Sequence, residues 1–247
     1  MIILFSPSEN KKRGGKSKKF DANSFIFPQL FKKRVEVLNL YNDYIRQADK
    51  KALSKLFGLK DEKMLEYYST DIFNRPVMKA IERYEGVAYG YLKYSSLPNN
   101  AQKYIDKNVL IFSNLFGTVL AKDELIDYKL KQGEKIDSFA TEKFYKEHFS
   151  KTIDEYLQKH TPIIDLRAGF YEKFYRIKED FITMKFIKNA KVVSHWAKAY
   201  RGIVLKLMAL NEIQSTEELE AMEIENLRIK EIRKIKNKTE FVYEITS

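Results

Sequence analysis

The chain has no cysteine, which excludes disulfide scaffolds and thiolate metal sites. Five prolines and nine glycines in 247 residues leave little material for long flexible linkers. Three histidines, His148, His160 and His195, have no metal-ligand spacing to one another or to acidic clusters. No metal and no cofactor is expected. No segment approaches the roughly 18 consecutive apolar residues that span a bilayer. The N-terminal run Met1 to Phe5 is too short for a signal-peptide core, and no basic residue precedes it. No membrane partner is therefore expected, and the expected location is the cytoplasm. There is no Walker A sequence and no Gly-x-Gly-x-x-Gly; the adjacent pair Gly14-Gly15 sits among cations.

What is present is an ordinary globular balance, 44% hydrophobic and 32% charged, with material for a sizeable core. Aromatics reach 14%, almost all Tyr and Phe. The net charge is +11, from 45 Lys and Arg against 34 Asp and Glu. A charge of that size favours a polyanion: DNA, RNA or an acidic membrane face. The alternative is a lysine-rich proteome that makes many proteins basic. Residues 10–19 concentrate the charge, with six cations and no anion around two glycines.

Three short apolar runs predict buried strands: Met1 to Phe5, Val109 to Phe112, and Pro162 to Asp165. Helical spacing covers 28–57, with a break near Ala48-Asp49 and a stop at Gly58. Further helices are expected at 61–69, 75–83, 141–159 and around Phe170 to Tyr175. Towards the end, Phe181 to Ile187 and Lys191 to Trp196 predict a hairpin turning at Asn189-Ala190. A helix from about Ala197 to Leu210, a short helix from Glu217 to Met222, and a second hairpin from Ile224 to Ile245 follow. Strands alternating with helices, then hairpins, predict one α/β domain over 1–247, a mixed sheet covered by helices.

Polar residues close the strand candidates: Ser6 after Phe5, Ser113 after Phe112, and Asp165 at the end of the third. If these strands are mutually parallel, all three lie at one sheet edge, where ligands of open α/β sheets bind. Ser and Asp also end strands for ordinary turn chemistry. In Ser194-His-Trp-Ala-Lys198-Ala-Tyr-Arg201-Gly202, Lys198 and Arg201 are three apart and share a helix face. Gly202, a poor helix former, predicts close approach of another backbone or a ligand. The alternative is a solvated cation pair beside a packing glycine.

These segments, in this order, resemble the YaaA family of peroxide-stress proteins. Met1 to Pro7 resembles its opening strand ending in Ser-Pro-Ala-Lys. Phe112 to Asp123 resembles Ser-Gly-Leu-Tyr-Gly-x-Leu-Arg-Pro-x-Asp, and Asp127-Tyr128-Lys129-Leu130 with Gly133 resembles Pro-Tyr-Arg-Leu-Glu-Met-Gly. Ile164 to Tyr171 resembles Ile-Asn-Leu-Ala-Ser-x-Glu-Tyr, and Ser194 to Gly202 resembles Ser-x-x-Ala-Lys-x-Ala-Arg-Gly. The chain departs from the pattern at Ser8-Glu9, Ala121-Lys122, Lys129, Lys131 and Asp165. The resemblance implies a compact α/β fold of unusual topology with a basic cleft. It also implies DNA binding in the oxidative-stress response, linked to recombination, repair and limiting free iron. Family members carry a helix-hairpin-helix element, and the segment that would match it here is Val35 to Leu59.

Two functional readings stand. In the first, duplex or branched DNA is bound through its phosphates with little base readout. Its contacts are Lys11, Lys12, Arg13, Lys16, Lys18, Lys19, Lys129, Lys198, Arg201 and Lys206. In the second, an enzyme acts on a nucleotide or nucleobase surrounded by Ser6, Ser113, Asp123, Tyr128, Asp165, Lys198 and Arg201. Lys198 or Asp165 would be the base and Arg201 would hold an anion. No residue pair identifies a reaction, and no oligomeric state follows from the sequence.

Overall fold

The computed structural model describes residues 1–18, 20–21, 25–189 and 191–246. At its centre is β1 (Ile2–Phe5), whose four side chains are at most 1% exposed. A strand covered on both faces needs apolar residues at every position, which accounts for its unbroken hydrophobic run. Along the chain, β2 (Asn10–Lys11) precedes α1 (Phe31–Gln47), α2 (Lys50–Phe57) and α3 (Glu62–Ser69). Then come β3 (Val77–Lys79), α4 (Ala80–Arg83), β4 (Tyr84–Glu85), α5 (Val87–Leu92) and α6 (Asn99–Asn108). Next are β5 (Val109–Ser113), β6 (Gly117–Leu120), β7 (Glu124–Ile126), α7 (Thr141–Leu157), β8 (Ile163–Asp165), β9 (Phe181–Lys188) and β10 (Lys191–Val192). The remaining elements are α8 (Ser194–Leu210), α9 (Thr216–Ala221), β11 (Leu227–Ile235) and β12 (Lys238–Ile245).

The main sheet runs β11-β12-β9-β8-β1-β5-β6, with β10 added on β9. Strands β12, β9, β8, β1 and β5 are successively parallel, and β11 and β6 close the two edges antiparallel. This is the expected mixed α/β sheet. Because β1, β5 and β8 are parallel, Ser6, Ser113 and Asp165 do lie at the same sheet edge. Register places Leu4 between Leu110 and Asp165.

Local signals set the helix ends. Asp49 and Asp61 cap α2 and α3, accepting the N–H groups of Ala52 at 2.7 Å and Met64 at 2.9 Å. Along α7 the apolar side chains Phe144, Phe149, Ile153 and Leu157 are buried, as their spacing predicts. Ser215 and Glu218 form a capping box on α9.

Several expectations are corrected. The helix expected over 75–83 is instead strand β3 followed by the short α4. Strand pairing of Val77–Lys79 with β7 overrides the helical pattern there. The helix expected around Phe170 is a short 3-10 turn, Gly169–Lys173. The return arm of the first late hairpin is cut to two residues, and α8 begins at Ser194. Trp196 thereby packs on Tyr200 at 6.1 Å, an i,i+4 contact that only a helix provides. Asn189 occupies the left-handed region at φ 49°, as a turn residue should; Ala190 lies outside the described residues.

Candidate functional site

The parallel strands deliver their ends to a cavity of about 440 Å³. Phe5 and Ser6 enter its lining from β1, Leu166 and Ala168 from the segment after β8, and Tyr171 from the 3-10 turn. Ser8, Glu9, Asn10 and Gln132 form another part of the wall; Val87, Ala88 and Tyr89 of α5 and Lys198 and Arg201 of α8 complete it. The volume falls within the range of small-ligand pockets, about 300–1,000 Å³. The charged lining is mixed, two cations and Glu9, in place of the run of cations that a basic cleft implies.

Ser6 is held from two sides. Its hydroxyl oxygen accepts the Ala168 N–H at 2.8 Å, and its carbonyl accepts the Tyr89 hydroxyl at 2.8 Å. Among the described residues its own hydroxyl proton has no acceptor, so it can donate into the cavity. Gly86, at φ 147°, starts α5; a Cβ there would meet Ser8 Oγ at 2.6 Å.

Gly202 explains how α8 reaches the cavity. A Cβ at that position would stand 2.0 Å from the Ala88 carbonyl oxygen. The close backbone approach expected of this glycine is therefore real, and its partner is α5. The contact seats Arg201, next in the chain, and Lys198, one turn earlier, on the cavity lining. Lys198 is exposed and Arg201 half-buried.

Arg201 has no hydrogen bond or ion pair among the described residues. Burial lowers its pKa, and the attraction of Asp165 opposes that shift. Asp165 does not pair with it directly. Both Asp165 carboxylate oxygens are taken by Arg167, Nε at 2.8 Å and Nη2 at 2.9 Å. A carboxylate so engaged is poorly placed to accept a proton from a substrate. Arg201 is thus a partly desolvated guanidinium without a partner among the described residues.

The other strand-end candidates lie elsewhere. Ser113 and Tyr128 are buried. The Ser113 hydroxyl is 2.9 Å from the Tyr128 hydroxyl, which is 2.9 Å from that of Tyr84. Ser113 also accepts the Phe116 N–H at 3.1 Å. Burial raises the pKa of both tyrosines. Asp123 lies in the core, where one oxygen accepts the N–H groups of Leu120 at 2.8 Å and Ile26 at 3.1 Å. Burial raises its pKa to about 6 against these hydrogen bonds. None of the three lines the cavity.

The basic segment is more built-in than its composition suggests. Lys11 is a correction to the expected DNA surface, since it is only 8% exposed. Its amine donates to the carbonyls of Ser8 at 3.2 Å and Glu9 at 3.4 Å and stands 4.2 Å from the Tyr128 ring centre. Burial, with Lys129 alongside, pulls its pKa down to about 7; Asp127 and Glu9 pull the other way. Lys129 is half-buried and donates to the Glu9 carbonyl at 3.1 Å. Lys12, Arg13, Lys16 and Lys18 are exposed. Arg13 covers the Tyr67 ring at 4.3 Å, and Lys16 and Lys18 both pair with Glu124. Lys206 is half-buried on α8, outside the cavity lining. Lys19 lies outside the described residues.

The cavity residues that sequence reasoning missed are Tyr89, Tyr171, Asn10, Glu9 and Gln132. Tyr171 showed in the sequence only as the end of a family-like segment, and only the contact of α5 with α8 could have placed Tyr89 at a site. The segment Val35 to Leu59 folds as α1 and α2 joined at Ala48-Asp49. The glycine-bearing turn, Gly58 to Lys60, joins α2 to α3 instead.

Residues 1–233 match the family described as peroxide stress protein YaaA. An uncharacterized protein of Campylobacter jejuni is 50% identical over 245 residues, covering 99% of each chain. A UPF0246 protein of Corynebacterium glutamicum is 32% identical over 237 residues, covering 91% of each. Another, of Clostridioides difficile, is 25% identical over 255 residues, covering 98% of this chain and 99% of the relative. The match extends through the cavity-forming strand ends and α8, and the chain belongs to the YaaA family of peroxide-stress proteins.

Proposed function

We propose that this protein acts in the peroxide-stress response by binding DNA, with a phosphate held on Arg201 and Lys198 at the cavity. The observation that carries the reading is the half-buried Arg201 guanidinium on the cavity lining, which has no counter-charge in contact among the described residues. A planar guanidinium with open donors suits a phosphate oxygen pair. The net charge of +11 and the exposed cations Lys12, Arg13, Lys16 and Lys18 favour the same partner. Binding is dominated by phosphate contacts, with little base readout. Repair, recombination and iron limitation would be the setting of that binding.

A second reading, an enzyme acting on a nucleotide, draws on one observation. The space is a pocket of about 440 Å³ at strand ends, with a serine hydroxyl able to donate into it, and it is far too small to enclose a duplex.

Fluorescence anisotropy with a labelled duplex across a salt series tests the first reading. The logarithm of affinity is expected to fall linearly with the logarithm of salt concentration. Changing Lys198→Ala and Arg201→Ala together should reduce the slope by about 0.9 for each phosphate that is no longer neutralised. A salt-independent affinity, or no binding at low salt, overturns it.

A further inference from the structure

The space around Arg201 is larger than a phosphate and more varied than a phosphate cradle. We propose that the cavity at the carboxyl ends of β1 and β8 is a site for one nucleotide carrying a 5′-phosphomonoester. Two sources share that chemistry: a free nucleoside monophosphate, and the terminal nucleotide of a broken DNA strand. The second source rests on the DNA reading; the first does not.

The donors on the lining favour the monoester. Lys198 and Arg201 place two cations on the lining, and Ser6 adds a hydroxyl donor beside them. A backbone diester brings one negative charge. A phosphomonoester near neutral pH brings roughly 1.5 to 2, with three acceptor oxygens. The three acceptor oxygens of a monoester can engage both cations and the Ser6 hydroxyl at once, leaving Glu9 for the rest of the ligand. Arg201 makes no hydrogen bond or ion pair among the described residues, and the acid that attracts it, Asp165, is held on both oxygens by Arg167.

Shape and the remaining lining select a nucleotide over inorganic phosphate. About 440 Å³ is ample for a base and sugar beyond the phosphate. Tyr89 and Tyr171 bound the space as largely buried walls, 9% and 3% exposed, and give it an apolar side against which a base can lie. Glu9, Asn10 and Gln132 supply both acceptors and donors, as the edge of a heterocycle requires. Glu9 is oriented for this: its Oε1 accepts the Gln132 N–H at 3.1 Å, and its carbonyl is held by Lys11 and Lys129. The Glu9 backbone is therefore fixed by one buried and one half-buried lysine.

Calorimetric titration of the full chain with deoxyadenosine monophosphate, deoxyadenosine and inorganic phosphate tests the site. The monophosphate is expected to bind about tenfold or more tightly than either fragment, because each lacks half of the contacts. Arg201→Ala, and separately the exposed Lys198→Ala, should each weaken it about tenfold, with melting curves unchanged. Lowering the pH below about 6, where the phosphate takes up a proton, should weaken binding to the native protein. The sources separate in a second arm, in which labelled single strands of one sequence carry either a 5′-phosphate or a 5′-hydroxyl. Tighter binding of the phosphorylated strand, displaced by the monophosphate, assigns the strand end; equal binding of both assigns the free nucleotide. Failure of the monophosphate to outbind inorganic phosphate, or its indifference to both variants, overturns the nucleotide site even if duplex DNA still binds. If the monophosphate binds and no DNA does, the site stands and the DNA reading falls.

Discussion

The carboxyl edge of the sheet carries two groups of polar side chains that look alike in sequence and differ in what they are free to do. Ser6, Lys198 and Arg201 line the cavity with open donors. Ser113, Tyr128 and Tyr84, buried and outside the lining, are bonded to one another in a chain of 2.9 Å contacts. Strand-end position alone does not distinguish them. The difference lies in the neighbours: α5 and α8 border open space at Ser6, whereas Tyr128 and the Phe116 N–H of the β5–β6 turn bond directly to the Ser113 hydroxyl. Substitutions in the first group should therefore change binding, and in the second, folding.

The largest effect is expected in the buried group. Tyr128 is 1% exposed, and its removal in Tyr128→Ala leaves a cavity and two hydroxyls short of a partner. The expected cost is about 3–5 kcal/mol, measured by chemical denaturation. Arg201→Ala, half-buried and without partners among the described residues, should change stability by less than about 1 kcal/mol. If the two variants cost the same, the division between open and occupied groups is wrong.

Much of this division was hidden in the sequence for physical reasons. The parallel strands were legible because buried central strands have no polar positions, and Ser6, Ser113 and Asp165 followed from their ends. The pairing of Lys198 with Arg201 was legible from helical spacing, and Gly202 announced a close contact by being a poor helix former. What was not legible depends on contacts distant in sequence. Lys11 sits in a run with loop composition, yet Tyr84 and Tyr128 cover it, and β2 pairs with β4. Strand β3 needs β7 to exist. Asp165 looked like a free carboxylate until Arg167, two residues on, turned back onto it.

Lys11 offers an intermediate test, because it is buried like the lower group and charged like the upper. Its amine titrates near 7 in the folded protein and near 10.5 in the unfolded chain. Between those values the unfolded chain holds a proton that the folded protein has lost, so stability rises with pH. Below 7 both states are protonated and the full burial cost is present; above 10.5 both are neutral. From pH 7 to pH 9 the gain should be about 2 kcal/mol. Lys11→Met should remove that slope, as followed by denaturant midpoints across the range. An unchanged slope would place the titrating group elsewhere.

The smallest stability effect is expected from the exposed half of the basic segment, and it tests whether surface charge belongs with the cavity. Lys16 and Lys18 share one acid, Glu124, and Arg13 covers the Tyr67 ring. Exposed pairs of this kind contribute about 0–1 kcal/mol, and an exposed cation over the half-buried Tyr67 ring about as much. The segment is nonetheless anchored through its backbone: the Lys12 N–H donates to the Arg83 carbonyl at 2.8 Å, and the Lys16 N–H to the Val77 carbonyl at 2.8 Å. Changing Lys12, Arg13, Lys16 and Lys18 together to Ser keeps those backbone bonds and leaves Lys11 in place. Stability should fall by about 1 kcal/mol or less, while DNA affinity at low salt falls and its salt dependence flattens. Binding of a mononucleotide in the cavity should be unaffected, since none of the four residues lines it. Loss of both kinds of binding would mean that segment and cavity work as one surface; loss of neither would leave Lys198 and Arg201 to hold DNA alone.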